Sequence, residues 1–278
     1  MTHTRENRGK LYVVGTPIGA VDDLSPRARD VLAKADVVAA EDTRQTRGLL
    51  SRIGVESRLI AYHEHNETER VPALLAELEQ GRSVALVSDA GTPLISDPGW
   101  RLVAAAQAAG IDVVPVPGPC AAIAALSVAG LPTDHFVFEG FLPRREGARD
   151  ERLSALRHEQ RTIVFYEAVH RVAATLAALR HAFGAERRAA LARELTKTHE
   201  QIAIGTLGEL EARLDSGIPL LGEFVIVVTG AAAIAPDEAE ARRVYELLAA
   251  ELPPDRALKL AAAITGVARN TLYRLTRV

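Results

Sequence analysis

Residues 84–119 read VALVSDAGTPLISDPGWRLVAAAQAAGIDVVPVPGP. An apolar run, 84–87, has the character of a strand and empties into Ser88-Asp89-Ala90-Gly91-Thr92-Pro93. There small residues, a carboxylate and a hydroxyl crowd into a segment too punctuated for regular structure. One helix and one further strand, 112–116, lead to a second such loop, Pro117-Gly118-Pro119-Cys120. In an open α/β sheet, loops at the carboxyl ends of neighbouring strands converge on one crevice, and ligands bind there. Two ordinary strand-to-helix turns would give the same local pattern.

A third loop strengthens the ligand reading. A strand over 11–14 runs into Gly15-Thr16-Pro17-Ile18-Gly19, which has neither the GxGxxG spacing of a dinucleotide fold nor the GKS/T of a P-loop. Ser25 is placed to cap a helix with Pro26 at its first position. A strand over 37–40 then delivers Glu41-Asp42-Thr43-Arg44 at its carboxyl end. Asn66 and Glu69 have capping-box spacing for a helix ending at Gly81, and Asp97-Pro98 is expected to cap the helix that stops at Gly110. Alternating strands and helices to about residue 117 predict a largely parallel sheet covered on both faces, a first α/β domain over 1–117.

The pattern begins again with an Ala/Leu-rich helix over 119–130 and a strand over 136–138. A charged loop, 144–149, precedes an amphipathic helix to His158. Next come a strand over 162–166, a helix over 172–183 and strands near 189–192 and 201–205. The strand at 224–228 is expected to close a mixed sheet, giving a second α/β domain over 118–232. Beyond an Ala235-Pro236 linker, helical segments near 238–251, 256–264 and 270–277, with Gly266 in the last turn, form a small all-helical part over 233–278. This is compatible with a helix-turn-helix module or with a packing appendage.

Composition sets broad limits. The chain has 278 residues, 48% of them hydrophobic and 25% charged, as in a soluble globular protein. A net charge of −3 gives no bulk attraction to nucleic acid or membrane, so a polyanionic partner must be met by a local basic patch. Cys120 is the single cysteine, which rules out an intramolecular disulfide and suits a reducing cytosol. The polar first ten residues lack a secretory h-region, and no apolar run approaches the roughly 20 residues of a membrane helix. The expectation is a cytoplasmic protein without membrane association.

The ordered set LYVVGTPIG, AEDTR, YHEHNE, SDAGTPLISDPG, PGP, FxGFLPR, YE..HR and RELTK resembles the 16S ribosomal RNA cytidine 2′-O-methyltransferases of the tetrapyrrole-methylase-like superfamily. The resemblance runs from about Lys10 to Gly230, and the helical tail resembles that family's C-terminal helix-turn-helix domain. It implies two α/β domains enclosing S-adenosylmethionine, a homodimer, and 16S rRNA as partner, in the small ribosomal subunit. Carried over by position, Gly15, Pro17 and Gly19 form the first cofactor loop, and Asp89, Gly91, Thr92 and Ile95 the second. Pro117, Gly118, Cys120 and Ala121 form the third, with Tyr166 and the segment 223–227 completing the slot. Two departures stand out. Cys120 replaces the usual serine after PGP, and Ala168-Val169 stand where the family tends to have Ser-Pro.

Methyl transfer from a sulfonium is an in-line displacement with an activated donor, so placing the acceptor oxygen does most of the work. A ribose hydroxyl is a weak acid, and a nearby base should help. Candidates are Glu41, Asp42, Asp89, Glu167, Glu194 and Lys197. Lys197, one of four lysines, could serve as a base with a lowered pKa, or could form a local ion pair with Glu194. Arg44, Arg47, Arg144, Arg145, Arg149 and Arg171 are candidates for RNA phosphates. His63-Glu64-His65 lacks a further ligand at zinc-site spacing, and no metal is expected. Alternatives are a methylase of a tetrapyrrole or other small acceptor, and a non-catalytic rRNA-binding assembly factor.

Overall fold

A computed structural model describes residues 8–214, 216–232 and 237–276. Five strands form the first sheet: β1 (Lys10–Val14), β2 (Val37–Ala40), β3 (Leu59–Ala61), β4 (Val84–Val87) and β5 (Asp112–Val116). Their order is β3-β2-β4-β1-β5, and every pairing is parallel. The helices following these strands are α1 (Pro26–Lys34), α2 (Thr43–Arg52), α3 (Glu67–Glu79), α4 (Trp100–Ala108) and α5 (Ala121–Val128). Every residue of β2 and β4 is buried, because a parallel sheet takes helices on both faces and its central strands are apolar throughout. Val37, Ala39, Val84 and Leu86 pack with Leu74, Leu78 and Leu102 of α3 and α4. Val38, Ala40, Ala85 and Val87 pack with Leu32 and Leu50 of α1 and α2.

The strand order makes β4, β1 and β5 neighbours, so the three loops singled out in the sequence leave one edge side by side. They also touch. Thr16 and Gly91 form an antiparallel bridge, and the Thr92 hydroxyl donates to the Pro119 carbonyl at 2.9 Å. Gly15 and Gly118 meet backbone to backbone, where a Cβ on Gly118 would lie 2.7 Å from the Gly15 carbonyl oxygen.

Several expectations for this half need correction. Asn66 occupies the N-cap position of α3 but makes no side-chain cap. Its amide instead accepts from the His63 N–H and donates to the Ala61 carbonyl, because its backbone (ψ 0°) is not the extended conformation a capping box uses. Gly99, not Asp97-Pro98, precedes α4, and its N–H donates to the buried Glu67 carboxylate. Strand β3 and helix α2 went unanticipated, being a three-residue strand and a polar helix, TRQTRGLLSR.

The second sheet contains β6 (Phe136–Phe141), β7 (Thr162–Ala168), β8 (Arg188–Arg193), β9 (Gln201–Thr206) and β10 (Glu223–Val228) in the order β6-β7-β10-β8-β9. It is mixed: β6 and β7 are parallel, and the other pairings are antiparallel. The last strand, expected to close the sheet, sits in its middle, which suits its apolar run FVIVV. Helices α6 (Glu146–Leu156), α7 (Val172–Phe183) and α8 (Leu207–Arg213) cover one face through Ile163, Phe165, Leu191 and Ile226. Helix α6 begins inside the stretch expected to be a charged loop. On the opposite face Val164, Ala190, Ala192, Val225 and Val227 pack against α5 and Ile18.

Both sheets lie in one compact unit, Met1–Ala231, and Ala232–Val278 forms a second. The second holds α9 (Glu238–Ala249), α10 (Pro254–Thr265) and α11 (Arg269–Thr276) around Ala241, Leu258, Ala261, Val267 and Leu272. The expected Ala235-Pro236 linker and Arg277 lie outside the described residues. Among the described residues no helix is long and apolar enough to cross a membrane.

The Gly15–Gly118 contact yields a paired prediction. Gly118→Ala forces backbone apart and should cost about 1–3 kcal/mol in urea unfolding, whereas Gly48→Ala, inside α2 with nothing within 4 Å, should stabilise by about 0.5–1 kcal/mol. Equal effects of the two substitutions would contradict the close approach.

Candidate functional site

The carboxyl edge of the first sheet and the α5-bearing face of the second border a cleft of about 380 Å³, within the range of sites that enclose small organic ligands. Of the residues picked out in the sequence, Glu41, Asp89, Gly91, Thr92, Ile95, Cys120, Ala121, Tyr166 and Glu167 line it. Gly15, Pro17, Gly19, Pro117 and Gly118 belong to the same loops but are not in the lining. The glycines shape the loops: Gly15 and Gly118 abut each other, and Gly19 lies against the Lys197 stem and the Thr196 hydroxyl. Between Gly15 and Gly19, Ile18 reaches the wall and packs on the second sheet.

The wall is apolar with acidic side chains set into it. Asp89 accepts from the Asp42 N–H at 2.9 Å and from the Gln45 amide at 3.0 Å, and its own N–H donates to Glu41 at 3.3 Å. Burial raises the pKa of both Glu41 and Asp89 from their ordinary values, and the Asp89 charge adds to the rise at Glu41. Asp97, on the same wall, is pushed up to about 6, first by burial and then by the charges of Glu41 and Asp89, with a hydrogen bond from Ser88 partly opposing the rise. Asp97, which its Asp-Pro pair predicts as a helix cap, is instead a cleft residue.

Tyr166 closes the other side. Its hydroxyl accepts from the Ala122 N–H at 3.1 Å and lies 3.9 Å from the Cys120 sulfur. Burial, then the neighbouring Cys120, raises its pKa, so the phenol stays protonated. Backbone strain gathers at the same place. Among the described residues, the non-glycine positions with positive φ are Leu94, Ser96, Glu194 and Thr196, on two loops that contribute Ile95, Ser96 and Leu195 to the wall. Such strain persists where surrounding structure over-determines it, and clusters at functional sites.

Three expected roles are corrected by the side-chain positions. Glu167 alternates with Tyr166 along β7, so its fully buried carboxylate turns to the α7 face, where Thr175 donates at 2.6 Å and Arg171 lies at 3.4 Å. It cannot serve as a base in the cleft. Lys197 is held at 2.9 Å from Glu194 and 3.0 Å from Glu223. Burial opposes its charge, but the two carboxylates outweigh burial and its pKa is raised, not lowered. It is an ammonium that pins the strained loop. Arg171 donates to the carbonyls of Leu142 and Pro143 and pairs with Glu167, so it fixes the loop after β6 and is not free for phosphate. Arg44 is exposed and forms a 2.9 Å pair with Asp42, while Arg144 and Arg145 are exposed.

Residues 10–211 match the family of Tetrapyrrole (Corrin/Porphyrin) Methylases, and residues 235–276 match the RsmI C-terminal HTH domain. The chain belongs to the tetrapyrrole methylase family. Within that family it is 54% identical to the Ribosomal RNA small subunit methyltransferase I of Xylella fastidiosa, over 95% of this chain and 98% of that protein. Among solved structures it resembles uroporphyrin-III-C-methyltransferase from Thermus thermophilus, with TM-score 0.57 and 26% identity over 80% of this chain and 94% of the other. The Thermus uroporphyrin-III C-methyl transferase complexed with S-adenyl homocysteine shares the fold, with TM-score 0.55 and 20% identity over 79% and 97% of the two chains.

The buried acids of the cleft should register in stability. A carboxyl whose folded pKa (about 6 for Asp97) exceeds its unfolded value of about 3.9 favours the fold only while protonated, and opposes it once ionised. Asp97→Asn should therefore be more stable than wild type at about pH 8, with the gain fading towards about pH 4. Urea unfolding across that range checks this, and a variant less stable than wild type at the upper end would contradict it.

Proposed function

We propose that this protein transfers a methyl group from S-adenosylmethionine to the ribose 2′-hydroxyl of a cytidine in the decoding centre of 16S rRNA, acting on the small ribosomal subunit. The observation that carries the reading is the cleft: an apolar slot between two sheets, floored by three touching loops and studded with partly buried carboxylates. Its relatives support the choice of RNA over a tetrapyrrole acceptor, since proteins named Ribosomal RNA small subunit methyltransferase I match nearly end to end.

The residues present fit this donor. Glu41, Asp89 and Asp97 give the slot a negative interior suited to a cation, and Ile18, Ile95, Ala121 and Val225 offer apolar surface for a planar base. S-adenosylmethionine, when bound, supplies a methyl group on a positively charged sulfur, already activated for displacement. The loops at Gly91–Thr92 and Cys120–Ala121 with Tyr166 hold the donor. The acidic group, lacking Glu167 and Lys197, takes up the proton that leaves the ribose hydroxyl. Holding acceptor and donor in line supplies several kcal/mol through proximity. In this reading residues 1–117 carry the donor loops, 118–232 complete the slot, and 233–278 add a helix-turn-helix contact to RNA. The enzyme is cytoplasmic and a homodimer.

Purified protein incubated with methyl-labelled S-adenosylmethionine and unmodified 30S subunits should place label in one ribose of 16S rRNA, read by nucleoside mapping. Label in a base, or none, would overturn the reading. Asp89→Ala should abolish most of the labelling and weaken donor binding by calorimetry; unchanged affinity would remove Asp89 from the donor site.

A further inference from the structure

The FxGFLPR motif is not accounted for by donor binding, yet the backbone is specially bent to aim its second phenylalanine. In a regular strand, side chains three residues apart point to opposite faces, so Phe138 and Phe141 should diverge. The pairing of β6 with β7 slips between Phe138 and Gly140: Phe138 pairs with Val164, but Gly140 with Phe165 and Phe141 with Tyr166. Glu139 is the extra residue, and Gly140 takes φ +63°, a conformation that L side chains rarely adopt. A bulge of this kind re-aims a side chain. Both phenylalanines consequently reach the Tyr166 ring edge-on, Phe138 at 4.9 Å and Phe141 at 5.7 Å between centroids.

The bulge is locked from both sides. The Glu139 side chain, 8% exposed, accepts two hydrogen bonds from Arg152, at 2.8 and 2.7 Å. Arg171 grips the carbonyls of Leu142 and Pro143 just beyond. Held in this way, Phe141 lines the cleft yet leaves 54% of itself exposed. An exposed phenylalanine alone means little. One turned towards a cleft by a bulge, braced by two arginine contacts and followed by exposed Arg144 and Arg145, has the makings of a stacking surface beside a phosphate contact.

We propose that Phe141 is the platform on which the base of the target nucleotide stacks when its ribose enters the cleft, with Arg144 and Arg145 meeting the flanking phosphates. The inference rests on the RNA reading above. Carrying a ribose into a slot recessed between two sheets is easiest for a nucleotide that has left the RNA stack, and an unstacked base is held by an aromatic face and its own edge contacts. Phe141 does not take part in the chemistry; it positions the acceptor.

The test compares full-length wild type with Phe141→Ala, Phe141→Leu and Phe141→Trp. It measures initial rates over a range of 30S subunit concentrations, calorimetric affinity for S-adenosylmethionine, and thermal unfolding. Loss of one base-aromatic stack should lower kcat/KM for subunits roughly 5- to 150-fold in the alanine and leucine variants. Tryptophan should stay near wild type, and donor affinity and melting temperature should hold in all. A leucine variant as active as wild type would reduce Phe141 to packing, and a parallel loss of donor affinity would assign it to the donor wall; either overturns the proposal. If wild type labels a ribose while alanine is unimpaired, this inference alone falls. If wild type labels no ribose, the RNA reading falls and takes this inference with it.

Discussion

Thr16 and Gly91 exchange backbone hydrogen bonds, Thr16 N–H to the Gly91 carbonyl at 2.8 Å and Gly91 N–H to the Thr16 carbonyl at 3.1 Å. The functional region depends on this link between two loops. It is available only because β4 and β1 are parallel neighbours whose carboxyl ends share an edge, and the Thr16 hydroxyl strengthens it by lying 3.3 Å from both the Ser88 and Gly91 carbonyls. The third loop joins through Thr92 to Pro119 and through the bare backbones of Gly15 and Gly118. Loops elsewhere are usually mobile; these are cross-braced into a rigid floor. The opposite wall is tied down by the Ala20 N–H, which donates to the Thr196 hydroxyl at 3.0 Å, and by Ile18, which packs into the second sheet's own cluster.

On that floor charge is divided by depth. Carboxylates Glu41, Asp89 and Asp97 sit in the slot, where burial makes their ionisation costly and a bound cation correspondingly welcome. Arginines Arg144 and Arg145 are exposed and outside the lining, where the proposed phosphate contacts would be made in water. A chain of net charge −3 can thus hold a positive donor and approach a polyanion without either field cancelling the other. Lys197, the one lysine beside the slot, is neutralised by Glu194 and Glu223, which keeps its charge from opposing a cationic ligand.

Much of this was legible in the sequence because it depends on local patterns. Buried β2 and β4 read as apolar runs, and the punctuated loops after β1, β4 and β5 announced themselves by Gly, Pro and Thr. Side-chain direction was less legible. Glu167 follows Tyr166 in a strand, so one of the pair had to face away from the cleft, but only the pairing of β7 with β10 and β6 shows which. Asp97 looked like a cap because Asp-Pro often is one; the fold spends Glu67, distant in sequence, on the Gly99 N–H and leaves Asp97 to the cleft. A glycine inside a strand-like run, Gly140, was a visible sign of the bulge, yet the face to which Phe141 turned required the register. The central place of β10 was hidden because strand order is set by long-range pairing.

Donor recognition depends on the acid-set slot choosing a sulfonium. The most direct measurement is calorimetric binding of S-adenosylmethionine and S-adenosylhomocysteine, side by side, from about pH 5 to about pH 7.5, across the Asp97 pKa of about 6. As the carboxylates ionise, affinity for the positively charged donor should rise with pH, while affinity for the thioether, which lacks the charge on sulfur, should change much less. Equal pH dependence for the two ligands, or donor binding that weakens as pH rises, would contradict the account.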